Sequence, residues 1–480
     1  MTGIIRSIPL QEWWDPARVF HALYAGDSHA FWLDAGINAS VGRSYLGAAT
    51  ARSRFVTSSA ADHTVSVTLP ADPSAAASVV DHTIFSFLRD DLAGPPVRGD
   101  GGVAGGGVDG GFRLGWVGWL GYELGAQTVG SPVHSSSLPD AALLHVDRAV
   151  MFDHESRTVT LLAREYPGDD DETAAWARKV EQHLRRSPIP ALPAPPRAAT
   201  ARWRHPPEQY DDLIGHCLDA IRAGDAYQVC LTNEILVDAT PNPLDAYLRL
   251  RAGSPSHHGA FLRFGDTALL SASPEQFLHV TSDGLVRTKP IKGTRPRSAD
   301  VARDRELARE LQSSEKERAE NLMIVDLMRN DLGRIAELGS VIVTSLLAVE
   351  SYPHVHQLVS TIEARLGTGL TGVDVVAACF PAGSMTGAPK RSAMGIIDRL
   401  ESGPRGLYAG AFGYFGADGA VDLAIVIRSI VLGPSGASIG TGGGITALSD
   451  PQEEIIETQV KAAALLAALG VAGVSGDEAR

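Results

Sequence analysis

The chain has 480 residues, 44% of them hydrophobic and 20% charged, with a formal net charge of −14. That length suits about two or three domains, or one large two-layered unit, with a core of ordinary globular composition. The acidic balance argues against nucleic acid as a partner, the lack of a long apolar run argues against a membrane span, and the three unevenly spaced cysteines (Cys217, Cys230, Cys379) fit neither a disulfide framework nor a zinc site. The N-terminus lacks a basic segment followed by an apolar one, so a reducing, cytoplasmic setting is expected.

In chain order, residues 1–186 alternate short β-like runs, such as 31–33 and 159–163, with helical patches, and a helix is expected over 173–185. Residues 94–111, rich in Gly, Asp and Val, read as a mobile surface loop. Residues 187–200 (SPIPALPAPPRAAT) predict a semi-rigid extended linker, so that 187–204 would separate an N-terminal region from a second one at 205–470, followed by a flexible tail at 471–480. In the second region, 276–280 and 285–291 flank Ser282-Asp283-Gly284 as a hairpin that delivers Lys292 from a strand end. Residues 300–333 are rich in helix formers, and 424–432 (AIVIRSIVL) predict a buried strand interrupted by Arg428. A last helix is signposted by Asp450 as N-cap, Pro451 at N1, Glu453 at N3 and Gly470 as its stop. Helices and strands mixed without regular βαβ alternation favour an α+β fold.

Several constellations carry chemistry. Pro290-Ile291-Lys292-Gly293 mounts one lysine on a rigid turn, because Pro fixes φ and Gly permits a close approach. Glu454, Glu457 and Lys461 share one face of the last helix, with Ile456, Val460, Ala463 and Ala467 on another; Glu317 and Glu320 are likewise three apart. If the two helices face each other, these carboxylates are the hard oxygen ligands that Mg2+ accepts; otherwise they are solvated faces. Gly442-Gly443-Gly444 could offer backbone N–H groups to an anion, or simply form a tight strand-to-helix turn. Residues 383–390 resemble a phosphate cradle but lack the Gly-Lys-Ser/Thr ending, which excludes nucleotide binding of that kind. A guanidinium inside an apolar strand, as at Arg428, should meet a carboxylate, internal or from a ligand. No nucleophilic triad is visible and no cysteine sits on a Gly-x-Cys-x-Gly elbow, so ammonia from glutamine would have to come from another chain.

Residues 205–470 resemble the chorismate-utilising enzymes, whose motifs recur in family order: 225–229 (DAYQV), 273–275 (SPE), 290–294 (PIKGT), 320–331 (ENLMIVDLMRND), 386–390 (TGAPK) and 442–457. Residues 115–122 (GWVGWLGY) extend the likeness into the N-terminal part. The resemblance implies large antiparallel sheets packed as a sandwich with helices on the outer faces. Relatives that add water and form isochorismate or salicylate carry a lysine where Gln228 stands; the ammonia-using branch carries glutamine. Anthranilate-forming relatives have alanine where Lys292 stands, whereas the branch forming 4-amino-4-deoxychorismate has a lysine that attacks the substrate. The implied activity is therefore conversion of chorismate and ammonia to 4-amino-4-deoxychorismate, on the route to 4-aminobenzoate and folate, with ammonia from a glutamine amidotransferase partner. Anthranilate formation is the alternative, ahead of isochorismate or salicylate formation and of a silent chorismate-binding protein.

The same resemblance implies roles for individual residues. Mg2+ would be held by Glu320 and Glu457, with Glu317 and Glu454 around them. Gln228, Gly293, Thr294, Tyr408, Arg428, Gly442, Gly443, Gly444 and Lys461 would bind the substrate. Lys292 would attack C2 while Glu275 protonates the departing C4 hydroxyl. Such a lysine needs a lowered pKa, expected from a desolvated site near a metal, and such an acid needs a raised one. Two departures stand out. Gln357 occupies the place of a histidine found before the Leu-Val-Ser run in many relatives, with His356 one position earlier, and Asp34-Ala35 replaces a Glu-Ser pair of tryptophan-regulated relatives. A catalytic His356 and tryptophan feedback are therefore not expected.

Overall fold

The computed structural model describes residues 3–94, 98–99, 111–166, 170–188, 190, 193, 195–352 and 354–471. Most of the expected 94–111 loop and of the 471–480 tail lies outside the described residues, as does part of the 187–200 linker.

Among the described residues the strands form one thirteen-stranded and one twelve-stranded sheet. The first runs from Ala201–Trp203 through Gln228–Val237, Gly436–Thr446, Ser429–Gly433, Thr267–Ser273 and His258–Phe264 into His29–Asp34 and on to Arg98–Gly99. The second runs from Ile291–Pro296 and Val355–Arg365 through Leu285–Thr288, Gln276–Val280, Val421–Ile425 and Ala411–Gly416 into Gly115–Leu120, ending at Ser78–Asp81. Pairing is antiparallel except where Ile4–Pro9 meets Arg98–Gly99.

Side-chain alternation explains the layering, since residues two apart share a sheet face. Phe31 and Leu262 of the first sheet enter one buried cluster with Val117, Trp119, Leu144 and Phe412 of the second, so the inner faces interlock. Trp32 and Phe261, one residue on, point outward under Val19, Phe20, Leu184, Leu250 and Leu465 from covering helices. The outer face of the second sheet is covered in the same way by Ile84, Leu88, Ile324, Met328, Val373 and Val376. The fold is α+β, a sandwich with helices on both outer faces.

Both sheets are shared by the two sequence regions. His29–Asp34 pairs with His258–Phe264, and Gly115–Leu120 pairs with Ala411–Gly416. The Pro/Ala-rich stretch is thus a boundary in sequence and not between separate bodies, and its end is strand: Ala201–Trp203 pairs with Ile235–Val237.

The structure corrects four local expectations. The run 285–291 stops at Thr288, and Lys292 lies in a new strand, Ile291–Pro296, because Pro290 interrupts the ladder. Residues 300–333 form two helices, Val301–Ser313 and Glu315–Gly333, divided at Ser314, whose hydroxyl caps the second. The predicted strand 424–432 is two strands, Val421–Ile425 in the second sheet and Ser429–Gly433 in the first; the chain crosses between sheets at Arg428, whose φ is +50°. In the helix Pro451–Ala468 the buried face is Glu454, Ile455, Thr458, Ala462, Leu465 and Leu466, while Ile456 and Val460 face solvent. The end signals of that helix are in place: Asp450 accepts from Gln452 and Glu453 N–H at 2.9 and 3.1 Å, and Gly470 has φ +83°.

Phe261 sits at the seam between the two regions, edge-on to Phe20 at 5.2 Å and fully buried. Phe261→Ala should cost about 3–5 kcal/mol by denaturant unfolding. A loss below about 1 kcal/mol would mean that the shared sheet does not couple the regions.

Candidate active site

Four elements converge on one cleft: the strands Ile291–Pro296 and Gly436–Thr446, and the facing helices Glu315–Gly333 and Pro451–Ala468. Gly442, Gly443 and Gly444 lie within Gly436–Thr446, paired with Thr232, Leu231 and Cys230, so they are not the turn that their run suggested. Their role is to leave room. A Cβ on Gly444 would lie 3.0 Å from Glu320 Oε2 and 3.2 Å from Lys292 Nζ, and would strike the Gln228 amide. On the other face, a Cβ on Gly443 would lie 2.8 Å from Glu454 Oε2. The neighbouring strand pairs only as far as Ile439, and no strand among the described residues covers the edge beyond it on that side.

Gly293 places the lysine. Its φ of +76° accompanies a register shift, so that Lys292 pairs with Leu358 and Thr294 with Gln357. Any side chain at Gly293 would be strained and would lie 2.7 Å from Glu317 Cδ. Lys292 Nζ stands 3.3 Å from Glu320 Oε2, the two side chains being 13% and 7% exposed. Burial works to lower the Lys292 pKa, but Glu320, Cys230 and Glu275 outweigh it and hold the ammonium above its ordinary value. The expected depression is absent here, because the carboxylates are free to pair with the amine. Glu275 behaves as an acid should: burial pushes its carboxyl up to about 7, against Lys292, Lys461 and hydrogen bonds from Ser384 and the Ile291 N–H.

The facing helices bring all four glutamates together, each with a cation: Lys292 on Glu320, Lys316 on Glu454 at 2.6 Å, Lys461 on Glu457 at 2.5 Å, and Arg295 3.9 Å from Glu317. Burial pushes the Glu317 and Glu320 carboxyls up, helped by Glu457 against Glu317, and by Glu317 and Glu454 against Glu320. So placed, no three His, Cys, Asp or Glu side chains among the described residues form a metal-binding group. The donor type nevertheless fits a hard divalent cation, which would compete with the ammonium groups now neutralising these oxygens.

The remaining expected residues line the same cleft. Gln228 is fully buried with neither amide atom hydrogen-bonded, an expensive state for a polar group unless something else supplies partners. Lys461 also donates to Gly442 O at 2.8 Å. The Tyr408 ring fills the space over Gly440. The Arg428 side chain has no hydrogen bond or ion pair among the described residues; burial draws its pKa down, with Tyr408 and Glu457 opposing. Among the described residues it therefore meets no carboxylate.

Outside the cleft, His356 is held by Ser351 Oγ at 2.8 Å and Asp304 Oδ1 at 3.0 Å, tying it to the helix Val301–Ser313. Gln357 is buried with its Oε1 unpartnered. Asp34 is taken up by Arg251 at 2.5 Å and by the Tyr247 hydroxyl at 2.8 Å. The loop 383–390 is no cradle: Lys390 binds Asp331 at 2.6 Å and the carbonyls of Cys379 and Pro381. Ser384, in that loop, works against burial in lowering the Glu275 pKa; in the sequence it stands just before the TGAPK motif instead of within it.

A family model described as chorismate binding enzyme matches residues 51–467, and the chain belongs to that family. It is 45% identical to an aminodeoxychorismate synthase of Streptomyces griseus over 98% of its own length and 64% of that protein's. It is 42% identical to an aminodeoxychorismate synthase of Streptomyces pristinaespiralis over 95% and 64%, and 40% identical to anthranilate synthase component 1 of Streptomyces coelicolor over 75% and 73%. The chain thus spans 64% of the length of the first two relatives. Among solved structures, anthranilate synthase component I of Streptococcus pneumoniae superposes with a TM-score of 0.73 at 30% identity, over 89% of this chain and 92% of that one.

Gly444→Ala should weaken chorismate binding at least about tenfold, or ~1.4 kcal/mol, by calorimetric titration, with an unchanged circular dichroism spectrum. Undiminished affinity would mean that substrate does not lie against this glycine face.

Proposed function

We propose that the chain converts chorismate and ammonia to 4-amino-4-deoxychorismate, serving 4-aminobenzoate and folate synthesis. The observation that carries this is Lys292, a buried amine aimed at Glu320 and Gly444 with the raised-pKa acid Glu275 beside it. The names of the two Streptomyces relatives at 45% and 42% identity support the same activity.

Chorismate's carboxylates would lie toward Arg428 and the open edge of Gly436–Thr446, with Tyr408, Thr294, Gly293 and Lys461 around the ring. The Lys292 amine bonds to C2 as the ring double bonds shift and the C4–O bond breaks, and Glu275 gives its proton so that the hydroxyl leaves as water. Ammonia then bonds to C4 and loses a proton, while the C2–N bond breaks and returns the amine. Gln228, with both amide atoms unspent, is the group available to orient ammonia or the hydroxyl. Mg2+ would be held by Glu320 and Glu457, with Glu317 and Glu454 around them, and would supply positive charge for a ring carboxylate; Glu320, engaged in that way, would no longer hold the proton on Lys292.

Ammonia would come from a glutamine amidotransferase partner. In support, Cys217, Cys230 and Cys379 are all buried, and burial pushes their thiols up, to about 12 for Cys217 and Cys379, which does not suit a glutamine-cleaving nucleophile. A cytoplasmic setting is part of the proposal; no helix among the described residues is long and apolar enough to cross a membrane.

Mass analysis of the product from chorismate, Mg2+ and ammonium should find 4-amino-4-deoxychorismate. Anthranilate with pyruvate would instead assign the activity named for the Streptomyces coelicolor relative, and turnover without ammonia would assign isochorismate chemistry. Glu275→Gln should lower kcat by about 100-fold or more, and a rate near that of the unaltered enzyme would remove Glu275 as the acid.

A further inference from the structure

The strand carrying Gln228 is paired along its whole length by Gly436–Thr446 on one side only. On its other side Gly387–Ala388 covers Gln228 and Val229, and Ala201–Trp203 covers Ile235–Val237. Between these lies a gap that no strand among the described residues fills. Its flanks are closed by backbone bonds from Cys230 N to Thr386 O at 2.9 Å and from Arg204 N to Glu234 O at 2.7 Å. Of the groups left, Cys230 C=O and Thr232 N–H are taken by the side chains of one ion pair: Arg405 Nη2 donates to Cys230 O at 2.8 Å, and Glu401 Oε1 accepts from Thr232 N at 2.7 Å.

Glu401 and Arg405 form an ion pair at 2.6 Å with side chains 3% and 2% exposed. Such a pair is expensive to bury, and an apolar filling would serve stability as well. Its charges are spent on geometry. Arg405 also donates through Nη1 to Met385 O at 2.6 Å, its backbone N–H goes to Glu123 Oε1 at 2.8 Å, and its guanidinium lies 4.4 Å from the Tyr122 ring centroid. One side chain therefore fixes a carbonyl two residues from Gln228 and another one residue from Ser384.

We propose that Glu401 and Arg405 are positioning residues, substituting for a missing strand so as to hold Gln228, and the loop that carries Ser384, in register for catalysis. This rests on Glu275 being the acid. Besides Ser384, Glu275 faces the charges of Lys292 and Lys461 and the Ile291 N–H, none of which Arg405 touches.

The test uses the full chain with chorismate, Mg2+ and ammonium, following whichever product the unaltered enzyme releases, so that a wrong product assignment is detected separately. Arg405→Lys keeps the charge but cannot reach both carbonyls, and Glu401→Gln keeps the acceptor for Thr232 while loosening Arg405. Both should lower kcat by about 10–100-fold with little change in KM. Ser384→Ala removes a donor to the ionised carboxyl, so the loss of activity with rising pH should move to higher pH, and Arg405→Lys should move it the same way. Unaltered kcat and pH profile in folded Arg405→Lys would overturn the proposal. So would a loss fully accounted for by the unfolded fraction in both Glu401→Gln and Arg405→Lys, which would make the pair a stability element alone.

Discussion

A lysine ammonium and a carboxylate 3.3 Å apart, Lys292 and Glu320, govern the chemistry open to this cleft. Paired, they are inert: burial favours the free amine, yet neighbouring carboxylates hold the proton on it. The same carboxylates are the oxygens that a divalent cation would take. The proposed role of Lys292 as a nucleophile would require Glu320 to be engaged elsewhere. The other glutamates, each matched by a lysine or arginine, repeat the arrangement, so the cleft is charged on both sides and nearly neutral in sum.

The surroundings serve that pairing through backbone more than through side chains. Gly444 is in the strand because a methyl group there would meet both Lys292 and Glu320. Gly293 turns the chain with a positive φ so that Lys292 and Thr294 fall into register on either side of a bulge. Gln228 is then left with buried amide atoms that the protein does not satisfy, which is costly in a folded core unless a ligand completes them; the half-buried Arg428 guanidinium is likewise without a partner among the described residues.

Much of this was legible in the sequence because it resides in local chemistry: the Pro-Ile-Lys-Gly mount, the i, i+3 glutamates and the capped last helix need only near neighbours. What was not legible depends on partners distant along the chain. Nothing near 424–432 says that the chain changes sheets at Arg428, since both halves are equally apolar. A glycine triplet has the same composition in a turn and in a strand that must admit Glu320. The Pro/Ala-rich stretch looks like a domain boundary, and only the pairing of His29–Asp34 with His258–Phe264 reveals one shared sandwich. The direction of the Lys292 shift was missed for a similar reason, because it is set by Glu320 on another element.

The central claim is that Lys292 becomes covalently joined to the substrate. Intact-mass and peptide mapping after mixing the protein with chorismate and Mg2+ in the absence of ammonia tests it directly. An adduct of chorismate less one water, mapping to Lys292 and absent from Lys292→Ala, is the predicted result. An adduct that persists in Lys292→Ala, or that maps to a different residue, would contradict it.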